Sequence, residues 1–182
     1  MVHNMKFKRN TGFTLVELLV VIAIIGVLAG IIINSLNTAR AKALTAKAIS
    51  EIRNLRTAII SLEDDTGKWP NGCPVEKVST GSSNEVSFAD SNAGIIARPS
   101  VGGSGSCVWT ASEVAQWKGP YMPSALDPWG TPYWFDSDYY PRKDCGDPSV
   151  AAIVAIESHG PNKVGGAENG IYDCDDMYLK VY

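Results

Sequence analysis

Hydrophobic positions divide the chain into two regimes. From Phe13 to Ile33 the sequence is apolar apart from Thr14 and Glu17. That is about the 20 residues a helix needs to cross the hydrocarbon core of a bilayer. After Asn34-Ser-Leu-Asn-Thr38 the pattern turns periodic. Leu44, Ala48, Ile52, Leu55, Ile59 and Leu62 recur every three or four residues, one apolar stripe along a helix. Lys42, Lys47, Glu51, Arg53 and Arg56 fall largely off the stripe. No proline interrupts Phe13 to Asp65, so the pattern predicts one helix from about Thr14 to about Leu62. Its length would be roughly 75 Å at 1.5 Å per residue, the first half in lipid and the second packed on a globular head. Asp64-Asp-Thr-Gly-Lys-Trp-Pro70 ends it, with Gly67 as a left-handed cap and Pro70 barring continuation.

The remainder reads as short strands among long loops. Residues 71 to about 110 are rich in Gly, Ser, Asn and Pro, with short strands expected near Val86–Phe88 and Val108–Trp109. Ala111–Trp117 suits a short helix capped by Thr110 or Ser112. Asp127-Pro-Trp-Gly130 has turn chemistry, and Tyr133-Trp-Phe135 alternates into a strand. Ala151–Glu157 is β-branched and apolar, and Met177–Val181 is the last strand. The expected fold class is α+β, a long N-terminal helix packed on a small antiparallel sheet with long loops.

Charge adds an orientation. Lys6, Lys8 and Arg9 precede the apolar run, a positive flank that stays cytoplasmic. The chain is 182 residues long with net charge −3; without residues 1–12 and their three positive charges the remainder is at about −6. No dominant basic patch speaks for nucleic acid. An enzyme is not expected either. Of the two histidines, His3 lies ahead of the apolar run, and His159 has no nucleophile-elbow or metalloprotease motif around it. No phosphate-cradling glycine loop is present.

The four cysteines, Cys73, Cys107, Cys145 and Cys174, all lie outside the apolar run and none has C-x-x-C spacing. In an extracytoplasmic head they read as two disulfides, with three possible connectivities. Cys73–Cys107 with Cys145–Cys174 is favoured because each pair brackets one loop-rich segment. Buried free thiols are the other reading.

Two details mark the apolar run as more than an anchor. Glu17 places a carboxylate inside it, at a cost of roughly 2.5–3.5 kcal/mol on insertion scales. Gly26 and Gly30 form a strip where another helix can approach closely. The segment Gly12-Phe-Thr-Leu-Val-Glu17-Leu also resembles the processing site of the type IV pilin and type II secretion pseudopilin superfamily. Asp127-Pro-Trp-Gly130-Thr-Pro-Tyr is similar to a block of the major pseudopilins, and Gly67-Lys-Trp-Pro70 to the turn after the pilin helix. The resemblance implies cleavage between Gly12 and Phe13 by a prepilin peptidase and methylation of the new Phe13 terminus. It implies an assembly role for Glu17, whose charge the Phe13 amine of a neighbouring subunit would neutralise. A secretory signal is cut after its apolar run, whereas this site precedes it, so the run stays with the mature chain.

The implied organisation is a leader at 1–12, a transmembrane and assembly helix at 13–35, and a pilin-like αβ-roll head at 36–182. The implied function is a structural subunit of a type IV pilus-like filament, as the major pseudopilin of a type II secretion-like system. A pilin of an extracellular pilus is the alternative, with a membrane-tethered binding module that never polymerises behind it. Implied partners are further copies of the chain, minor pseudopilins or pilins, the peptidase, the inner-membrane assembly platform, and membrane lipid before assembly. The implied location is the inner membrane with the head outside the cytoplasm, then a periplasmic or extracellular filament.

A last constellation lies near the C-terminus, where Asn162, Asp173, Asp175 and Asp176 surround Gly165-Gly166. Calcium takes six to eight oxygens on a bendable loop, and magnesium demands a stricter octahedron. Oxygen donors with sulfur held in a disulfide select calcium over zinc. A solvated acidic turn accounts for the composition equally well. Major pseudopilins carry a Ser-x-Gly-x-Asp…Gly-Gly…Asp-x-Asp-Ile calcium pattern, which Ser158-His-Gly160-Pro-Asn162 and Gly165-Gly166 match with Asn in place of Asp. The resemblance therefore implies calcium on Asn162, Asp173, Asp175 and Asp176 with the His159 carbonyl.

Overall fold

The computed structural model describes residues 12–78, 85–103, 107–141, 145–146, 151–165 and 174–181. Residues 1–11 of the expected leader lie outside the described residues. Helix α1 (Leu15–Thr66) is followed by β1 (Val86–Ser87), α2 (Ala111–Gln116), β2 (Trp134–Tyr139), β3 (Ile153–Ser158) and β4 (Met177–Lys180). The chain divides between Lys42 and Ala43 into two units.

In the first unit α1 holds a stretch long and apolar enough to cross a membrane, and none of that stretch is buried. Among the described residues nothing outside the helix backbone lies within 4 Å of a Cβ built on Gly26 or Gly30. These two glycines share a helix face, four residues apart.

In the second unit the apolar stripe faces inward. Ile52, Leu55, Ala58, Ile59 and Leu62 are buried with Phe135, Ile156, Tyr133, Phe88 and Trp69 in one core. The helix runs one turn past the expected end at Leu62. Thr66 is buried and its hydroxyl donates to the Leu62 carbonyl at 2.7 Å, which holds the added turn. Gly67, at φ +70°, then closes it by donating its N–H to Glu63 O at 2.7 Å.

The sheet is an antiparallel meander in the order β1-β2-β3-β4. Its register sets Val86, Phe135, Ile156 and Leu179 side by side, and Trp134, Glu157 and Tyr178 beside one another. Successive side chains alternate between faces, so the first row meets the core and the second lies on the far face. β2 extends well beyond the expected Tyr133–Phe135. It continues through Asp136, Ser137 and Asp138 to Tyr139, with a register shift between Asp136 and Tyr139. Aspartate has low strand propensity, and pairing with β3 on either side of the shift, Asp136 with Ala155 and Tyr139 with Ile153, overrides it. β3 and β4 match the expected strands, each offset by one or two residues.

The 71–117 segment is more than loop. Phe88, Ala93, Ile95, Trp109 and Val114 all enter the core from it. Trp109 Nε1–H donates to Asn92 O at 2.9 Å and Trp117 Nε1–H to Gly94 O at 2.7 Å, so each indole also ties one part of the segment to another. The strand expected at Val108–Trp109 is only an isolated bridge between Gly102 and Trp109. Helix α2 begins in a capping box: Thr110 Oγ1 accepts from Glu113 N–H, and Glu113 accepts from Thr110 N–H. Cys73–Cys107 and Cys145–Cys174 are both formed.

Candidate functional site

The N-terminal site is built from consecutive residues. Gly12, Phe13 and Thr14 precede the first helical turn, and the Phe13 ring is 88% exposed. Among the described residues nothing lies within 4 Å of a Cβ built on Gly12, so their packing does not require glycine there. Three residues on, Glu17 folds back. Its Oε2 accepts from Thr14 N–H and from the Thr14 hydroxyl, both at 2.8 Å, and Thr14 Oγ1 accepts from Glu17 N–H at 3.2 Å. This is a capping box, and it gives the carboxylate two donors inside the apolar segment. Sequence reasoning named Glu17 and missed Thr14. The signal was present as a hydroxyl residue three places before a glutamate at a helix start.

The second candidate site lies where β3 ends. Asp127, buried in the Asp-Pro-Trp-Gly turn, accepts at Oδ1 from Trp129 N–H (3.0 Å) and Thr131 N–H (2.9 Å). Its Oδ2 accepts from the Thr131 hydroxyl and, at 2.8 Å, from the Ser158 hydroxyl. Ser158 Oγ in turn accepts Gly160 N–H at 3.2 Å. One carboxylate thus joins the turn to the start of the C-terminal loop. Sequence reasoning placed Asp127 in a turn but gave no sign of this long-range bond.

Beyond Ser158, the ring of His159 stacks on Trp134 at 6.2 Å between centroids and 11° between planes. His159 Nε2 lies 3.4 Å from Glu157 Oε1. The Glu157 carboxylate raises the imidazole pKa and burial opposes it; Asp176 and Asp127 add to the rise. Glu157 is buried, and sequence reasoning passed over it as a strand residue.

Gly160, at φ +65°, brings the loop against the turn that leads into β4, where an added Cβ would collide with the Asp175 carbonyl. Asn162 meets Asp175, and Asp176 Oδ1 lies 2.8 Å from a Cβ built on Gly165, whose next neighbours are His159 ring atoms. The structure therefore gathers His159, Asn162, Asp175 and Asp176. Asp173 and Gly166 lie outside the described residues. The donor chemistry does not match calcium at Asn162, however. That side chain points its amide N–H, not its oxygen, at Asp175, while calcium needs converging oxygens. A separate acidic group, Glu85, Asp136 and Asp138, brings one ligand atom from each residue within 4.8 Å of the others on the β1–β2 side of the sheet.

Comparison with known proteins first defines a class. Residues 7–33 match the prokaryotic N-terminal methylation motif. This region includes Gly12, Phe13, Thr14 and Glu17. Among individual relatives, the chain is 40% identical over 63 residues to the type II secretion system core protein G of Pectobacterium carotovorum subsp. carotovorum, covering 35% of this chain and 40% of that protein. The core protein G of Dickeya chrysanthemi is 36% identical over 78 residues, 40% of this chain and 51% of the relative. A fimbrial protein of Pseudomonas aeruginosa is 45% identical over 51 residues, 28% of this chain and 33% of the relative. The chain thus matches about two fifths to half of the length of these core G proteins. No solved structure matches the chain.

Proposed function

We propose that this protein is a structural subunit of a type IV pilus-like filament and that it works as the major pseudopilin of a type II secretion-like system. One observation carries the reading. An apolar helical segment stands unburied, preceded directly by Gly12-Phe13 and broken only by a capped Thr14 and Glu17. A subunit inserted in the membrane satisfies that surface with lipid, and a filament satisfies it with the same segment of other copies. The methylation motif and the likeness to core G proteins support the choice. The likeness to a fimbrial protein supports the second reading, a pilin of an extracellular pilus.

On this proposal the prepilin peptidase cuts after Gly12 and Phe13 becomes the methylated terminus. The Phe13 amine of one copy pairs with Glu17 of the next. Minor pseudopilins and an inner-membrane platform are the assembly partners. The head lies outside the cytoplasm, first on the inner membrane and then in a periplasmic filament. The role is mechanical, not enzymatic.

Intact mass tests the processing. Co-expression with an active prepilin peptidase should yield residues 13–182 plus one methyl group, less two hydrogens per disulfide. A membrane-bound chain still carrying residues 1–12 under those conditions refutes it. Negative-stain images of filaments bearing the protein then separate the readings, since a surface pilus stands outside the cell and a secretion filament does not.

A further inference from the structure

The C-terminal loop is closed by an amide where the pseudopilin pattern would use a cation. Asn162 gives two N–H groups to one carboxylate. Its backbone N–H donates to Asp175 Oδ2 at 3.1 Å, and its Nδ2–H donates to Asp175 Oδ1 at 2.7 Å. Its own Oδ1 accepts Val164 N–H at 2.6 Å. This last bond fixes which way the amide faces. Turning it over would set Nδ2 against the Val164 N–H and Oδ1 against an Asp175 oxygen, exchanging two bonds for two repulsions.

We propose that this Asn162–Asp175 clasp closes the loop in place of a bound cation, and that Asn162 is the residue that frees this chain from calcium. A divalent ion bridging residues 162 and 175 needs an oxygen from each. Asn162 offers donors instead, and the Asp175 carboxylate is held by them. An aspartate at 162 would reverse the situation. Its carboxylate would face that of Asp175 at hydrogen-bond distance with no side-chain proton between them, and like charges that close disfavour each other's ionised form. A divalent cation would then be needed to hold the two together. Backbone geometry keeps either arrangement local. Gly160 lets the loop press on the Asp175 backbone, and Ser158 pins its start through Gly160 N–H. One side-chain atom, nitrogen or oxygen, therefore decides whether the loop depends on calcium.

The test uses the full-length protein in detergent, with both disulfides verified by mass. Calcium is titrated calorimetrically, and melting is followed in millimolar calcium and in chelator. The wild type should bind no calcium and melt alike in both. Asn162→Asp should bind calcium and should melt roughly 2–4 °C lower in chelator than in calcium, the scale of a modest destabilisation in a domain of this size. Exchanging the two residues, Asn162→Asp with Asp175→Asn, restores one amide opposite one carboxylate and should abolish the calcium dependence again. Wild-type protein that binds calcium and melts higher with it overturns the proposal, as does an Asn162→Asp protein indifferent to the ion.

Discussion

The Tyr133 hydroxyl donates a 2.8 Å hydrogen bond to Glu51 Oε2, which joins the residue before β2 to the C-terminal part of α1. Tyr133 is almost fully buried, and Glu51 also pairs with Lys47 at 3.6 Å, so the phenol is held at the junction of core and helix flank. Burial and the Glu51 carboxylate both raise the phenol pKa, keeping Tyr133 a proton donor. Tyr133→Phe should keep the ring packing and lose the bond. The expected loss is about 1–2 kcal/mol, near the range for a bond to a charged but partly solvated acceptor. Chemical denaturation of the full-length protein measures it, and an unchanged midpoint would show the bond adds nothing net.

Glu17→Leu should raise membrane compatibility and leave the head intact, because the costly charge is gone and the core of the second unit does not use it. On the proposed function it should abolish or misregister filaments. Thr14→Val keeps the charge and removes the hydroxyl donor, so it should leave processing at Gly12 unchanged and alter filament yield. Filaments in normal amount from Glu17→Leu would refute the pairing of Glu17 with a neighbour's Phe13 amine.

Alkaline pH should loosen the end of α1. Tyr121 donates to Asp65 Oδ2 at 2.7 Å, and Lys118 Nζ lies 2.6 Å from Asp65 Oδ1. Burial, followed by the bond to Asp65, pushes the Tyr121 phenol up to about 12. The folded value is raised above the ordinary value of about 10, so the stability it gives is complete below pH ~10 and is lost as pH rises toward ~12. Denaturation midpoints of the wild type and Tyr121→Phe, compared at pH 9 and pH 11.5, should converge at the higher pH. A constant gap between the two curves would contradict the assignment.

Replacing Cys73 and Cys107 together by serine should cost roughly 3–4 kcal/mol, the loop-closure scale for a closed loop of this size. The two residues are 34 apart in sequence, and the bonded segment supplies four buried core side chains, Val78, Phe88, Ala93 and Ile95. Melting of the double mutant beside the wild type measures the loss. A change below ~1 kcal/mol would mean that core packing already holds the segment.

The helix and its division of labour were legible because a continuous apolar run and a three-to-four-residue stripe are local signals. Phe13, Glu17, Ile52 and Leu62 needed no tertiary information. What escaped depended on distant partners. Phe88 and Ile95 look like isolated apolar residues in a Gly- and Ser-rich stretch, and only their packing beside Leu62 and Phe135 makes them core. Asp136 and Ser137 lie beyond the strand expected at Tyr133–Phe135, yet β2 continues through both and they are buried. At the C-terminal loop the sequence named Asn162 and Asp175 but could not orient an amide, because that orientation follows from the bond to Val164 N–H.

Asp127 carries a consequence for motion. Its two oxygens restrain the amides of Trp129 and Thr131 directly and that of Gly160 through Ser158. None of the three can be released cleanly while the carboxylate holds its place. Native-state hydrogen exchange should therefore find these amides opening as one cooperative unit, with similar opening free energies despite lying some 30 residues apart in sequence. A turn and a distant loop would then breathe together, and the end of β3 would be the hinge of that shared opening.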